Sequence, residues 1–188
     1  IAATSSDGVT WTKQTLPFIA DWTDITYGSS TGLFVAVASH GVYGIEYCAT
    51  SPDGVTWTQR SLPAKQNWTS VTSNGTNYVA VGQTSANAAT TIGAYSVDGV
   101  TWVANTMTSA IWKAVTYGNS RFVAVSSTTL SNWDLDGAGT WTNGGAMTSA
   151  NYAGVRYNGS RFVAVSGSST TSMYSTDATS WTAGGALP

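Results

Sequence analysis

Charge is what this chain has least of. Only 9% of its 188 residues are Asp, Glu, Lys or Arg, against roughly a quarter in an ordinary soluble protein. Seven Lys and Arg cannot neutralise a long phosphate backbone, which argues against general nucleic-acid binding. His40 is the sole histidine, so a metal site of several histidines is excluded. Glu46 is the sole glutamate. The single cysteine, Cys48, can form no internal disulfide, and after Gly44-Ile45-Glu46-Tyr47 it reads as a buried small hydrophobe. The longest apolar run, Leu33 to Ala38, is far short of the roughly 20 residues of a spanning helix, so membrane insertion is not expected. No stretch carries a 3.6-residue apolar period, so helix should be nearly absent. There is no signal-peptide pattern, and a start at Ile1 reads as a processed end or an excised piece.

What the chain has instead is Ser and Thr (54 together), 20 Gly, nine Trp and nine Tyr. It also repeats itself. One box runs Ser5-Ser6-Asp7-Gly8-Val9-Thr10-Trp11 and recurs from Ser51 to Trp57 and from Ser96 to Trp102. Degenerate copies run from Asp136 to Trp141 and from Ser175 to Trp181. A second motif alternates with it: an aromatic-led strand beginning at Trp22, Trp68, Trp112 or Tyr152, then a Gly/Asn turn. A Val-Ala-Val strand led by Phe34, Tyr78, Phe122 or Phe162 follows. Gly and Asn tolerate the positive φ of tight hairpin turns. The segments between turns are short and rich in Val, Ile, Thr, Tyr and Trp, which is strand chemistry.

Each unit then holds four antiparallel strands in about 40 to 46 residues, the signature of a β-propeller blade. The expected fold is all-β: four full repeats (18–63, 64–107, 108–147, 148–188) after an N-terminal half repeat (1–17). The half repeat leaves the ring count open. Thr15-Leu16-Pro17 mirrors Ala186-Leu187-Pro188, and we read the chain as a piece of a larger repeat protein with further repeats or neighbouring chains as partners.

The box has a mechanical reading. The Asp carboxylate accepts N–H groups of its own turn and the Trp anchors the outer strand. Asp7, Asp53, Asp98, Asp136 and Asp177, with Trp11, Trp57, Trp102, Trp141 and Trp181, are therefore expected to be scaffold. These boxes resemble the Asp-box, or bacterial neuraminidase repeat, of sialidases and related propellers. The combined pattern also resembles repeats in bacteriophage tail-fibre and secreted bacterial proteins. The resemblance implies a propeller on a virion surface or outside the cell, and is weak for activity.

Sialidases as a family use three arginines with a Tyr/Glu pair and an Asp. Here Arg121 and Arg161 stand at equivalent hairpin turns of different repeats and read as solvated turn residues, so catalysis is not expected. Nor is a cofactor. Asn132, Asp134 and Asp136 match the start of a calcium loop, but position 12 is Asn143 instead of Glu, and a decorated turn is the simpler reading. The candidate ligand residues are Trp22, Trp68, Trp112 and Tyr152, whose rings at blade mouths would stack on sugars; the competing reading is packing between blades. The expected function is a non-enzymatic adhesion module for a glycan or cell-surface receptor. The alternatives are a purely structural repeat of a phage appendage or fibre and, more distantly, a sialidase-like hydrolase.

Overall fold

The computed structural model describes residues 1–148 and 151–187, and they fold as β-strands joined by turns. An N-terminal hairpin pairs β1 (Ala2–Thr4) with β2 (Thr12–Gln14). A first unit follows: β3 (Asp21–Gly28), β4 (Leu33–Ser39), β5 (Ile45–Ser51) and the start of β6 (Thr58–Ser73). β6 serves two sheets: its first residues pair with β5, while Asn67 to Ser73 pair with β7 (Tyr78–Gln83). The second unit continues through β8 (Thr90–Ser96) and β9 (Val103–Ala110). The third is β10 (Trp112–Gly118), β11 (Arg121–Ser126), β12 (Ser131–Asp134) and β13 (Thr142–Gly144). The fourth is β14 (Tyr152–Tyr157), β15 (Phe162–Ser166), β16 (Ser172–Ser175) and β17 (Thr182–Ala183).

Every pairing within the sheets is antiparallel and in sequence order. Three details differ from the sequence reading, the first being that the expected boundary between residues 107 and 108 lies inside β9. The expected boundary between residues 63 and 64 lies inside the continuous strand β6. The box Trp stands just before the fourth strand rather than on it, at the end of the turn. Ser149, Ala150 and Pro188, which the expected repeat 148–188 includes, lie outside the described residues, and the likeness of Thr15-Leu16-Pro17 to Ala186-Leu187-Pro188 ends on one of them.

The units stack side by side, with β3, β6, β10 and β14 as successive neighbours. One packing rule recurs. The two valines of a Val-Ala-Val strand leave their own sheet on one face and enter a socket on the next. Val35 and Val37 pack with Trp68, Val71, Tyr78, Ala80 and Trp102. Val79 and Val81 pack with Trp112, Val115, Phe122, Ala124 and Trp141. Val123 and Val125 pack with Tyr152, Val155, Phe162 and Ala164. All six valines are fully buried. Val163 and Val165 of the fourth unit are only half-buried, so the row of sheets is not closed on that side.

Burying a valine is worth about 1.5–3 kcal/mol. Val81→Ala should therefore cost about 2 kcal/mol in a denaturant titration, the transfer term plus a small cavity. Val165→Ala, at a face with no neighbour, should cost less than about 1 kcal/mol. Equal losses at both positions would contradict the packing rule.

Polar ties reinforce the first two junctions. Each inner strand carries a β-bulge directly after its aromatic, between Trp22 and Asp24 and again between Trp68 and Ser70. The bulged residue is left without a regular pairing partner. Thr23 Oγ1 donates to the carbonyls of Val37 (3.2 Å) and Trp68 (2.8 Å), so one hydroxyl joins two units. Thr69 repeats this with Val81 (3.1 Å) and Trp112 (2.9 Å). Beside it, an Asp24 oxygen accepts from Ser70 Oγ (2.7 Å) and the Val71 amide (3.0 Å), and Ser70 Oγ accepts from the Val115 amide (3.2 Å). In the third and fourth units Lys113-Ala114 and Ala153-Gly154 replace these groups, and apolar packing together with outer-strand contacts from Arg121 and Trp181 holds the last junction.

Candidate functional site

The row of aromatics is the first place to look for a ligand, and three of its four rings lie in junctions between units, as the packing reading has it. Trp68, Trp112 and Tyr152 have no exposed surface. Trp68 Nε1 donates to the carbonyl of Ile45 (3.0 Å), and Tyr152 Oη to that of Thr148 (3.0 Å). Each ring is a wall of a valine socket, so stacking on a sugar would require two units to separate. Trp22 is half-buried; no preceding inner strand covers it, and it packs on Phe18 with ring centroids 4.7 Å apart.

Four of the five box aspartates each bind their own turn through Oδ1. Asp53 Oδ1 accepts from the amides of Val55 and Thr56 (both 2.8 Å) and from Ser51 Oγ (2.9 Å); Ser51 Oγ in turn accepts the Gly54 amide (2.8 Å). Asp7, Asp98 and Asp177 form the same set with Ser5, Ser96 and Ser175. Gly8, Gly54 and Gly99 all take φ +74° here, which is why glycine follows the Asp. Trp57 and Trp102 close their turns through Nε1 to the Gly54 (2.9 Å) and Gly99 (3.1 Å) carbonyls. Trp141 is buried and Trp181 Nε1 donates to Ser131 Oγ (3.0 Å), whereas Trp11 is 62% exposed.

Accepted N–H bonds favour the ionised carboxylate. The amides of Thr10 and Val9 and the Ser5 hydroxyl hold Asp7 at about 2. The amides of Thr56 and Val55, then Ser51, lower Asp53. At Asp98 desolvation pushes upward, but the Thr101 and Val100 amides outweigh it. The Ser180 amide leads the causes that lower Asp177.

The fourth box is different. Asp134 occupies the serine position, taking the amides of Asp136 (3.0 Å) and Gly137 (2.6 Å). A carboxylate cannot donate to Asp136 as a hydroxyl does. Desolvation raises its pKa, and the facing Asp136 charge adds to this. The linkage signs are therefore opposite. The four lowered aspartates contribute stability above the ordinary carboxylate range, lost as pH falls below about 4. Asp134 contributes an instability at neutral pH, relieved as pH falls through its raised value. Asp134→Ser is expected to raise Tm at pH 7 and leave Tm nearly unchanged at pH 4; a lower Tm at pH 7 would contradict this assignment.

The three residues of the weaker calcium-loop reading do not converge. Asn132 is buried and faces Thr108: its Oδ1 accepts the Thr108 amide (2.9 Å) and its Nδ2 donates to Thr108 Oγ1 (3.2 Å). Its oxygen is thus committed to another strand rather than joined with Asp134 and Asp136, and the described residues hold no cluster of three or more His, Cys, Asp or Glu.

The arginines are dispersed. Arg121 is not a solvated turn residue; its guanidinium lies 4.5 Å over the Trp133 ring and donates to the Asp177 carbonyl, tying the third unit to the fourth. Arg161 covers Tyr174 at 4.9 Å, and Arg60 Nε donates to Thr50 Oγ1 (3.1 Å). Cys48 is fully buried, and desolvation pushes its thiol up to about 12.

A cleft that the sequence reading missed lies beside the first unit. It has a volume of about 620 Å³ and is walled by Phe18, Ile19, His40, Tyr43, Tyr47 and Lys65 among others. Ile19 is 95% and Tyr43 69% exposed. Phe18 bridges Trp22 and Tyr47, and His40 lies against Tyr43. A tongue between β4 and β5 supplies much of this wall, including a 3-10 turn at Gly41–Tyr43. Asn67 anchors the tongue from a position 3% exposed. Its Oδ1 accepts the His40 amide (3.1 Å), and its Nδ2 donates to the Gly41 carbonyl (2.8 Å) and to Asn87 Oδ1 (3.0 Å). Gly44 ends the tongue at φ +60°, where a Cβ would lie 2.9 Å from that of Ser85.

Stacked four-stranded antiparallel sheets with inner strands side by side define the β-propeller class. Solved structures agree. YCF48 bound to a D1 peptide matches with a TM-score of 0.71 at 17% identity, covering 100% of this chain and 60% of that one. YCF48 from Cyanidioschyzon merolae matches with a TM-score of 0.69 at 15% identity, over 92% and 59% of the two chains. A chain of a nidogen/laminin complex matches with a TM-score of 0.63 at 9% identity, over 87% and 62%. The chain thus spans about 60% of the YCF48 chains it resembles. No protein-family model and no curated protein matches its sequence.

Proposed function

We propose that this chain is a non-enzymatic binding propeller that captures a partner protein through a short, partly apolar segment seated in the Phe18–Tyr43–Tyr47 cleft. One observation carries the reading: large apolar side chains stand exposed around a concave surface whose tongue is held in place by the buried Asn67. Exposed aromatics at a cleft provide contact area at low entropy cost. Glu46, Lys65 and His40 at the rim supply charge and hydrogen bonding for register. Two of the similar propellers carry peptide or protein partners in their own structures, YCF48 with a D1 peptide and the nidogen/laminin pair. The partner we favour is a cell-surface receptor, with the chain on a virion or outside a cell. The charge-poor Ser/Thr surface and the likeness to phage-fibre repeats support that location.

A glycan ligand loses its main support with the burial of Trp68, Trp112 and Tyr152. Catalysis has little to draw on, since the box carboxylates are committed to their turns and the arginines to separate contacts. The structural-repeat alternative draws on the open faces at the two ends of the row.

A peptide array and a glycan array probed with the same protein test the proposal. Saturable binding to peptides carrying apolar residues is expected. Ile19→Asp and Tyr43→Ala, both surface changes, should reduce it at least about tenfold without moving Tm. Glycan binding that survives both substitutions, or turnover of a fluorogenic sialoside, would overturn it.

A further inference from the structure

The first unit presents an empty socket. Val71, Val115 and Val155 are 3%, 1% and 1% exposed, because the preceding unit covers each; the equivalent Ile25 is 53% exposed. Trp22 and Trp57 are half-buried where Trp68 and Trp102 are buried. The cleft in front of them has a volume of about 300 Å³, and its far wall is Ile1, Ala2 and Ala3 of the N-terminal hairpin.

That hairpin is the outer half of a unit. Its turn bonds match those of the complete units: Gly8 to Ser5 Oγ at 2.8 Å, as Gly54 to Ser51 and Gly99 to Ser96. Its strands align with β8 and β9, so that Ile1-Ala2-Ala3-Thr4-Ser5 corresponds to Ile92-Gly93-Ala94-Tyr95-Ser96. In the second unit β8 has β9 on one side and β7 on the other. β1 has β2 alone, and its other edge borders the cleft. An unpaired strand edge beside an apolar socket accepts a further strand: main-chain hydrogen bonds give affinity and the alternate side chains give specificity.

We propose that this cleft is the seat of one more antiparallel hairpin of the repeat's own pattern, contributed by a further repeat of the same protein. Its Val-Ala-Val strand pairs edgewise with β1, and its two valines enter the Trp22–Ile25–Ala36–Trp57 socket. Its aromatic-led strand then lies beside β3, as β3 lies beside β6. Occupancy follows the rule of the three filled junctions and needs no new chemistry.

The test uses a thiol at the socket. Cys48 is fully buried, so Ile25→Cys supplies the reactive thiol of the folded chain. A copy of residues 67–91 fused ahead of Ile1 leads into β1 as it leads into Ile92. Maleimide labelling of Ile25→Cys should slow at least about tenfold in the fused protein. It should return to the unfused rate when both valines of the added Val-Ala-Val are replaced by Asp. The same 25-residue peptide added in trans should slow labelling in a saturable way, which keeps the test open if the fusion folds poorly. Unchanged labelling in both formats overturns the proposal. So does a doubled native mass of the unfused chain that protects the thiol, since a second copy would then fill the cleft.

Discussion

Trp68→Ala is expected to cost about 3–5 kcal/mol, the range for deleting a large aromatic from a packed core. The ring has no exposed surface and stands where two units meet, with Val35 and Val37 against it. Its indole N–H satisfies the Ile45 carbonyl, which loses its partner on truncation. A loss of that size is a large fraction of the stability of an ordinary domain, so the variant should unfold at far lower urea concentration. Were Trp68 a ligand residue, truncation would weaken binding and leave the midpoint in place. A midpoint within about 0.5 kcal/mol of the parent protein would contradict the packing assignment.

Asn67→Ala is expected to act on stability and binding together. The side chain is buried and joins the tongue (His40, Gly41) to Asn87 of the next loop. Removing it strands the His40 amide and leaves the Gly41 carbonyl only the long bond from the Gly44 amide, at about 1–3 kcal/mol. The released tongue should no longer hold Tyr43 against the cleft, and affinity for an array-selected peptide should fall at least about tenfold, the cost of ordering a loop on binding. Asn67→Asp separates the two effects: it keeps the acceptor for His40 but loses the donor to Gly41, so intermediate losses are expected. Full stability with lost binding would place Asn67 on the ligand itself.

The fold was legible because each repeat states it several times. Short β-branched segments, Gly/Asn turns and recurring boxes point to four-stranded units, and β3 to β17 follow them. The site was less legible for a physical reason. A Trp at the start of a strand has the same local sequence whether it faces a mouth or a junction; what decides is whether a preceding unit covers it, as one covers Trp68 and Trp112 but not Trp22, and that contact lies outside the local sequence. Asn132 turned toward Thr108 is a pairing across strands that spacing does not encode. The tongue did leave a signal. The first two repeats exceed the others by about half a dozen residues, and the surplus falls between the second strand and the box, from Phe34 to Ser51 and from Tyr78 to Ser96. Departures from a repeat are where a scaffold acquires loops, and loops are where binding residues concentrate.

On the proposed function, the scaffold packs through its recurring aromatics and binds through the tongue cleft. Titration of one array-selected peptide against the parent protein, Tyr43→Ala and Arg161→Ala tests it most directly. Arg161 lies on the distant fourth unit over Tyr174. A Kd at least about tenfold weaker is expected for Tyr43→Ala, or about 1.4 kcal/mol, with Tm unchanged and with Arg161→Ala binding like the parent. An unchanged Kd for Tyr43→Ala in a folded protein would contradict it.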